Sequence, residues 1–141
     1  MREDKNNEYV YVKVTKVGFA DPEGAQGILV LTADDGRSFP MSAFSGEVAD
    51  YIARFQKGDR ISVPSIYKMI AEIADIQSIF LTEVEVYERG NVLRADLYFR
   101  HRNNSFVLKN YRASDSIALA TYYDVPIKMK KALFDKLASQ V

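Results

Sequence analysis

The sequence of 141 residues contains no cysteine and a single histidine. Without cysteine the chain can form neither disulfides nor thiolate metal sites, and it has no cysteine nucleophile. Lysine plus arginine and aspartate plus glutamate both number 19, so the formal net charge is zero. A chain without net charge has no global attraction for nucleic acid, so phosphate binding would need a local basic patch. The candidates for chemistry are therefore oxygen and nitrogen groups at particular sites.

Long apolar runs are also missing. No segment approaches the roughly 18 apolar residues of a membrane span, and residues 1–8 lack the apolar stretch of a signal peptide. We therefore expect a cytoplasmic protein with no membrane contact. Apolar residues make up 48% and charged residues 27%, as in ordinary globular proteins. We expect a flexible N-terminus over residues 1–8 and a single domain over residues 9–141, since a chain of this length suits one core.

The first half of the domain has strand periodicity followed by helix periodicity. Apolar and polar residues alternate between residues 8 and 17, and residues 28–32 and 37–41 flank a tight-turn sequence, Asp-Asp-Gly, at 34–36. These patterns predict three strands. Ser45 then precedes a stripe of apolar residues at helical spacing, which predicts an amphipathic helix ended by the next glycine. The stripe consists of Val48, Tyr51, Ile52 and Phe55.

A connecting helix and a second set of strands follow. Pro64 and Ser65 precede further apolar residues at helical spacing, which predicts a helix as far as about Ile76. Three more strands are predicted, over residues 80–87, 92–100 and 106–111. Residues 117–123 are apolar on nearly all sides, as in a buried helix. Residues 130–137 predict a short C-terminal helix.

Three strands and a helix therefore occur twice. A shift of 68 places takes Leu29 to Leu97 and Glu47 to Asp115. We hypothesise an internal duplication, in which Glu47 and Asp115 are equivalent carboxylates near helix N-termini. The predicted fold class is α+β, with two βββα-type units, mainly antiparallel strands and a connecting helix.

The most specific stretch of the chain is residues 112–120, which read Arg-Ala-Ser-Asp-Ser-Ile-Ala-Leu-Ala and are followed by Val-Pro-Ile at 125–127. This stretch resembles the signature of the bifunctional nuclease domain family, Arg-Pro-Ser-Asp-Ala-Ile-Ala-Leu-Ala and then Pro-Ile. Upstream, residues 39–41 and Glu47 are similar to that family's Leu-Pro-Ile strand and the glutamate on its next helix. Residues 79–84 are similar to its central strand, so the resemblance covers nearly the whole chain.

The chain departs from the family pattern at three places. It has Ala113 in place of proline, Phe44 in place of glycine, and Tyr67-Lys68 in place of a His-Asp pair. The resemblance implies cleavage of both DNA and RNA. The missing His-Asp pair favours the alternative, a non-catalytic nucleic-acid-binding or protein-interaction module that keeps the family fold.

The helix entrance at residues 112–115 is the first candidate site. Asp115 and Glu47 are candidate catalytic residues and ligands for Mg²⁺ or Mn²⁺, because these ions prefer oxygen ligands and can activate water. Ser114 is a further catalytic candidate, and Arg112 can bind a phosphate through its planar guanidinium. Each has a structural alternative. Ser114 and Asp115 can cap the helix and complement its dipole. Arg112 can form a salt bridge with Asp115 or a neighbouring carboxylate, and Glu47 can lie on a solvated helix face.

A basic patch on the second set of strands is the next candidate. Its predicted substrate-binding residues are Arg100, Arg102 and Lys109, together with Arg94 and neighbouring tyrosines. Glu83 and Glu85 alternate with valines, and we expect them to form cross-strand ion pairs with Arg94 and Arg100.

Three further features have mainly structural interpretations. His101 could act as a general base, but an exposed turn histidine is the commoner case. Lys128, Lys130 and Lys131 are expected on the solvated side of a helix. The many tyrosines and strand edges predict a homo-oligomer, most simply a two-fold dimer.

Overall fold

The computed structural model describes residues 8–140, which contain seven strands and four helices. The strands are β1 (Tyr9–Phe19), β2 (Gln26–Ala33), β3 (Ser38–Ser45), β4 (Ile79–Arg89), β5 (Val92–His101), β6 (Asn104–Arg112) and β7 (Ile127–Lys130). The helices are α1 (Gly46–Gln56), α2 (Ile66–Ile76), α3 (Ala113–Tyr123) and α4 (Lys131–Ala138). Apart from Glu8, the predicted flexible N-terminus lies outside the described residues.

All seven strands belong to one sheet, in the order β3-β2-β1-β7-β4-β5-β6. Neighbouring strands are antiparallel except β4 and β7, which are parallel. The predicted α+β class with mainly antiparallel strands is confirmed, and α2 is the predicted connecting helix. No helix within residues 8–140 is long and apolar enough to cross a lipid bilayer.

Strand β7 joins the two sets of strands, and the sequence pattern does not predict it. Met129 pairs with Val10 of β1, and Ile127 pairs with Val84 of β4. The interpretation of Lys128 and Lys130 as part of a helix surface is therefore wrong, since both lie in this strand. A strand of four residues is too short for its own periodicity to identify it, and its position is set by the two strands that flank it.

Two units of three strands and a helix lie on either side of β7. Both have a register shift in the first strand, at Thr15 in β1 and at Thr82 in β4. Both also have a left-handed residue shortly before the helix, Ala43 with φ 65° and Asn110 with φ 70°. These irregularities match between the units, and the origin of the match in a gene duplication stays a hypothesis.

The first residues of α1 and α3 align the two units at their helices more accurately than the shift of 68 places does. Helix α1 begins at Gly46 and α3 at Ala113, so 113 minus 46 gives a shift of 67 at this point. Glu47 therefore corresponds to Ser114, and the residue that corresponds to Asp115 is apolar. The predicted equivalence of the two carboxylates is off by one position because the second unit has one residue fewer between its second strand and its helix.

The core lies between the sheet and helices α1 and α3. Helix α1 packs on β1 and β2, α3 packs on β4 and β5, and the two helices contact each other. Ala49, Ile52 and Phe55 are buried on the inner face of α1. Seven of the eleven residues of α3 are buried, which confirms the predicted buried helix and places its N-terminus inside the fold.

Candidate functional site

A cavity of about 530 Å³ lies at the start of α3. Its walls come from β3, from the start of β5, and from the junction where β6 ends and α3 begins, with Val48 of α1 and Leu137 of α4. Three of the residues predicted for the site line it, namely Arg112, Ser114 and Asp115. Arg94 and Ser45 line it as well. The fold therefore places the helix entrance that the sequence singled out in the wall of a concave surface.

Helix α3 begins without a side-chain cap. Its N-cap residue is Arg112, and no side-chain hydrogen bond satisfies the first turn. Ser114 and Asp115 are the second and third residues of the helix, so neither is its N-cap, but Asp115 lies in the first turn, where its charge complements the helix dipole as predicted. Backbone N–H groups of a first helical turn lack partners inside the helix and carry partial positive charge. This end of α3 is therefore suited to an anion.

Asp115 is held by a tyrosine from the connecting helix. The Tyr67 hydroxyl donates a hydrogen bond to Asp115 Oδ1 at 3.2 Å, and Tyr67 is only 5% exposed. Burial raises the pKa of Tyr67, and the charge of Asp115 and this hydrogen bond raise it further. Tyr67 therefore stays protonated near neutral pH and acts as a donor. Tyr67 is not among the residues predicted for the site, although it stands where the family pattern has the histidine of its His-Asp pair.

Glu47 lies near this group but outside the cavity wall. It is exposed in the first turn of α1, which agrees with the alternative prediction that Glu47 lies on a solvated helix face. Its charge nevertheless contributes to the raised pKa of Tyr67, after the larger effects of burial and of Asp115. No cluster of three or more histidine or carboxylate side chains suited to a metal occurs within residues 8–140.

Two arginines stand together at the cavity. Arg94 and Arg112 are direct partners across β5 and β6. In the part of the chain that the structure describes, neither forms an ion pair with a carboxylate. The predicted salt bridge between Arg112 and Asp115 is therefore wrong. Like charges directly opposite each other destabilise a strand pair, and an anion between them would relieve that repulsion.

The rest of the predicted basic patch lies elsewhere. Arg100 is six residues from Arg94 along β5, roughly 20 Å at about 3.3 Å per residue. Arg102 is in the β5–β6 turn with φ 57°, where His101 pairs with the first residue of β6. Lys109 is exposed on β6. None of these residues lines the cavity.

Glu83 and Glu85 have other partners than the predicted arginines. The register of the β4–β5 hairpin places Tyr98 opposite Glu83 and Asp96 opposite Glu85. Lys128 Nζ lies 2.8 Å from Glu83 Oε1, and the Tyr98 hydroxyl donates to Glu85 Oε1 at 3.0 Å. The predicted cross-strand ion pairs are wrong because strand alternation does not fix the register of a hairpin.

Comparison with protein families identifies the chain's relatives. The family model described as bifunctional nuclease domain matches residues 29–141. This range includes every residue that lines the cavity. No curated protein matches the chain.

Proposed function

The chain belongs to the bifunctional nuclease domain family, and from this premise we propose that it binds nucleic acid at the start of α3 and hydrolyses DNA and RNA phosphodiesters there. The proposal rests on the groups that line the cavity. An uncapped helix N-terminus, a carboxylate and two arginines meet there. An anionic group with a scissile bond suits this combination better than a neutral ligand does.

Phosphate binding is assigned to the positive groups. The guanidinium of Arg112 can make two parallel hydrogen bonds to phosphate oxygens, and Arg94 adds a second positive charge. The N–H groups of the first turn of α3 supply further donors. The Ser114 hydroxyl can donate to a phosphate oxygen or hold a water molecule. Because the chain has no net charge, affinity must come from these local contacts.

Asp115 is the proposed catalytic carboxylate. Tyr67 donates to Asp115 Oδ1, which orients the carboxylate in the cavity wall. Asp115 and Glu47 are the oxygen donors proposed for Mg²⁺ or Mn²⁺. This donor set fits an ion that takes its remaining ligands from water and substrate phosphate, as Mg²⁺ commonly does. Such an ion, when bound, supplies activation of water and neutralisation of phosphodiester charge.

A longer nucleic acid strand would extend beyond the cavity. We propose that Arg100, Arg102 and Lys109 contact such a strand where it follows the β5–β6 hairpin, since all three lie on that hairpin or its turn. We also propose a cytoplasmic location and self-association.

The test is cleavage of single-stranded and duplex DNA and RNA by the purified chain with Mg²⁺, Mn²⁺ or EDTA. We expect metal-dependent cleavage that falls in both Asp115→Ala and Glu47→Ala. The matched control is Asp34→Asn, which alters an exposed carboxylate outside the cavity. Cleavage that survives both alanine substitutions would contradict the assignment.

The alternative function is a non-catalytic nucleic-acid-binding module, and Tyr67 favours it. A protonated tyrosine stands where the family pattern has histidine, so it cannot serve as a base at neutral pH. Binding is measured by fluorescence anisotropy in EDTA, over a series of salt concentrations. We expect Arg112→Gln to reduce the slope of log affinity against log salt by about 0.7 for single strands, as for one lost phosphate contact. Lys57→Gln, at the far end of α1, should leave the slope unchanged.

The two measurements together separate the functions. Binding that depends on Arg112, without cleavage under any metal condition, would support the module and exclude the nuclease. Absence of binding to every nucleic acid would overturn both.

A further inference from the structure

Helix α2 carries an apolar stripe that nothing within residues 8–140 covers. Its five members recur at helical spacing and lie along one side of the helix. They are Ile66, Met69, Ile70, Ile73 and Ile76, with exposed fractions of 58%, 52%, 37%, 60% and 76%. A helix of a soluble protein normally turns such a stripe toward the core. Here the residues that identified the helix in the sequence face outward.

Helix α2 is nevertheless capped, and its other side packs against the core. Ser65 caps it by accepting from the Lys68 N–H at 3.1 Å, and Tyr67 and Ala74 are buried on another side. Tyr67 also packs edge to face on Tyr51 and Phe55 of α1. The inner side of α2 is therefore filled by aromatic and small residues, and the stripe remains as a second, outer side.

We propose that this stripe binds the same stripe of a second copy of the chain, with the two α2 helices antiparallel about a two-fold axis. The exposed area of the five side chains is on the order of 500 Å², in the range of the largest apolar patch on a typical monomer. Two such areas bury roughly 1,000 Å², about the lower limit of a specific protein interface. The stripe therefore suffices for a dimer that forms at moderate concentration.

The charged residues of α2 lie away from the stripe. At about 100° per residue, Lys68 and Asp75 lie on the side of the helix opposite the stripe, and Glu72 and Asp75 line a cavity with Tyr122 and Tyr123 of α3. Antiparallel packing of the stripes therefore brings apolar residues together, and it sets the two helix dipoles in opposite directions. Because the chain has no net charge, two copies meet without overall repulsion. A two-fold arrangement buries both stripes and leaves none exposed.

Nucleic acid does not suit this surface. Lys68 is the only basic residue of α2, and it already forms an ion pair with Glu72. Phosphate binding needs cationic side chains, which the stripe lacks. The dimer surface and the proposed substrate surface are therefore separate, and the dimer does not depend on the proposed function.

The first test is the mass of the full chain in solution, measured by sedimentation equilibrium between about 1 and 100 μM, the range of moderate protein affinities. We expect a species of twice the 16.0 kDa of one chain. Ile73→Glu places a charge in the middle of the stripe and should raise the dimer dissociation constant at least about tenfold. The matched control is Phe19→Glu, since Phe19 is 55% exposed and lies outside α2.

A cysteine pair tests the antiparallel arrangement, since the chain has no cysteine of its own. Antiparallel stripes bring Ile66 of one copy near Ile76 of the other, so a mixture of Ile66→Cys and Ile76→Cys should form a disulfide-linked dimer under oxidation, whereas Ile66→Cys alone should not. Circular dichroism of every variant establishes that the fold is retained. A native chain that stays monomeric at 100 μM, or an Ile73→Glu variant that dimerises as well as the native chain, would overturn the proposal. A disulfide-linked dimer of Ile66→Cys alone, with none between Ile66→Cys and Ile76→Cys, would overturn the antiparallel geometry.

Discussion

Helices α1 and α3 begin at corresponding places in the two units, but their first turns have different surroundings. At α1, Ser45 Oγ accepts from the Val48 N–H at 3.3 Å, and the Gly46 N–H donates to the Ala25 carbonyl at 2.9 Å. At α3 no side chain caps the first turn, and Ala113, Ser114 and Asp115 line a cavity. The first turn of α1 is thus closed by its own chain, whereas that of α3 has no side-chain cap among the described residues. Ser45 and Val48 line the same cavity, so the two helix starts differ in their free backbone donors and not in their access to it.

The largest expected effect is on cleavage. Asp115→Asn should lower kcat/KM about 100-fold or more, as for loss of a group that stabilises the transition state, whereas Glu47→Gln should lower it by about tenfold. The reason is that Asp115 lines the cavity and Glu47 is exposed beside it. Steady-state kinetics on a short labelled oligonucleotide measures both. Equal losses would contradict the difference drawn between the two helix starts.

The next effect is on stability. A Cβ at position 46 would lie 1.9 Å from the Gly24 carbonyl oxygen, so Gly46→Ala forces the loop and α1 apart. We expect a loss of about 2 kcal/mol, typical of overpacking. Ala113→Gly, the corresponding change at α3, should cost about 1 kcal/mol through helix propensity alone. Urea unfolding followed by circular dichroism compares the two, and a smaller loss for Gly46→Ala would show that the first helix start is not closed as described.

Alkaline pH tests the contact between Tyr67 and Asp115. The raised pKa of Tyr67 means that its neutral form stabilises the fold fully below pH 10, its ordinary value, and less as the pH rises through the folded pKa. Native stability should therefore fall above pH 10. Tyr67→Phe should reduce that fall by at most about 1.4 kcal/mol per pH unit, the contribution of one proton. Thermal unfolding between pH 8 and about 11 measures the fall, and an unchanged slope in the variant would exclude a Tyr67 contribution.

The smallest effect separates capping from binding. Ser45→Ala removes the cap of α1 and should cost about 1 kcal/mol of stability. Ser114→Ala removes no cap, so it should change affinity more than stability. Urea unfolding and anisotropy on the same two variants give the comparison. A Ser114→Ala variant that is as destabilised as Ser45→Ala, with native affinity, would make Ser114 a structural residue.

Much of the fold could be predicted because its signals are local. Alternation identified β1, the Asp-Asp-Gly turn fixed the first hairpin, and Ser45 and Ser65 marked helix starts where both act as caps. Each signal involves residues a few positions apart, whose interactions hardly depend on the rest of the chain. The exposed stripe of α2 shows the limit of such signals. Helical spacing identifies a helix, but it cannot say whether the apolar side faces the core or the surface.

The site was predicted in part. The family resemblance pointed to Arg112, Ser114 and Asp115, and all three line the cavity. Tyr67 could not be assigned from spacing, because it is 48 positions from Asp115 and comes from a helix that packs against α3 only in the folded chain. Arg94 pairs with Arg112 because a bulge in β6 sets the register of the β5–β6 hairpin. The predicted basic patch instead grouped Arg94 with Arg100 and Arg102, which lie at the other end of that hairpin.

The sequence by itself determined the α+β class, most of the strands and helices, and the membership that residues 112–127 first suggested. Only the tertiary structure decided that β7 joins the two units, that α3 begins uncapped at a cavity, and that Tyr67 holds Asp115. The physical reason is the range of the interactions. Periodicity, turns and caps depend on neighbours in the chain, whereas strand order, hairpin register and cavity walls depend on which distant segments pack together.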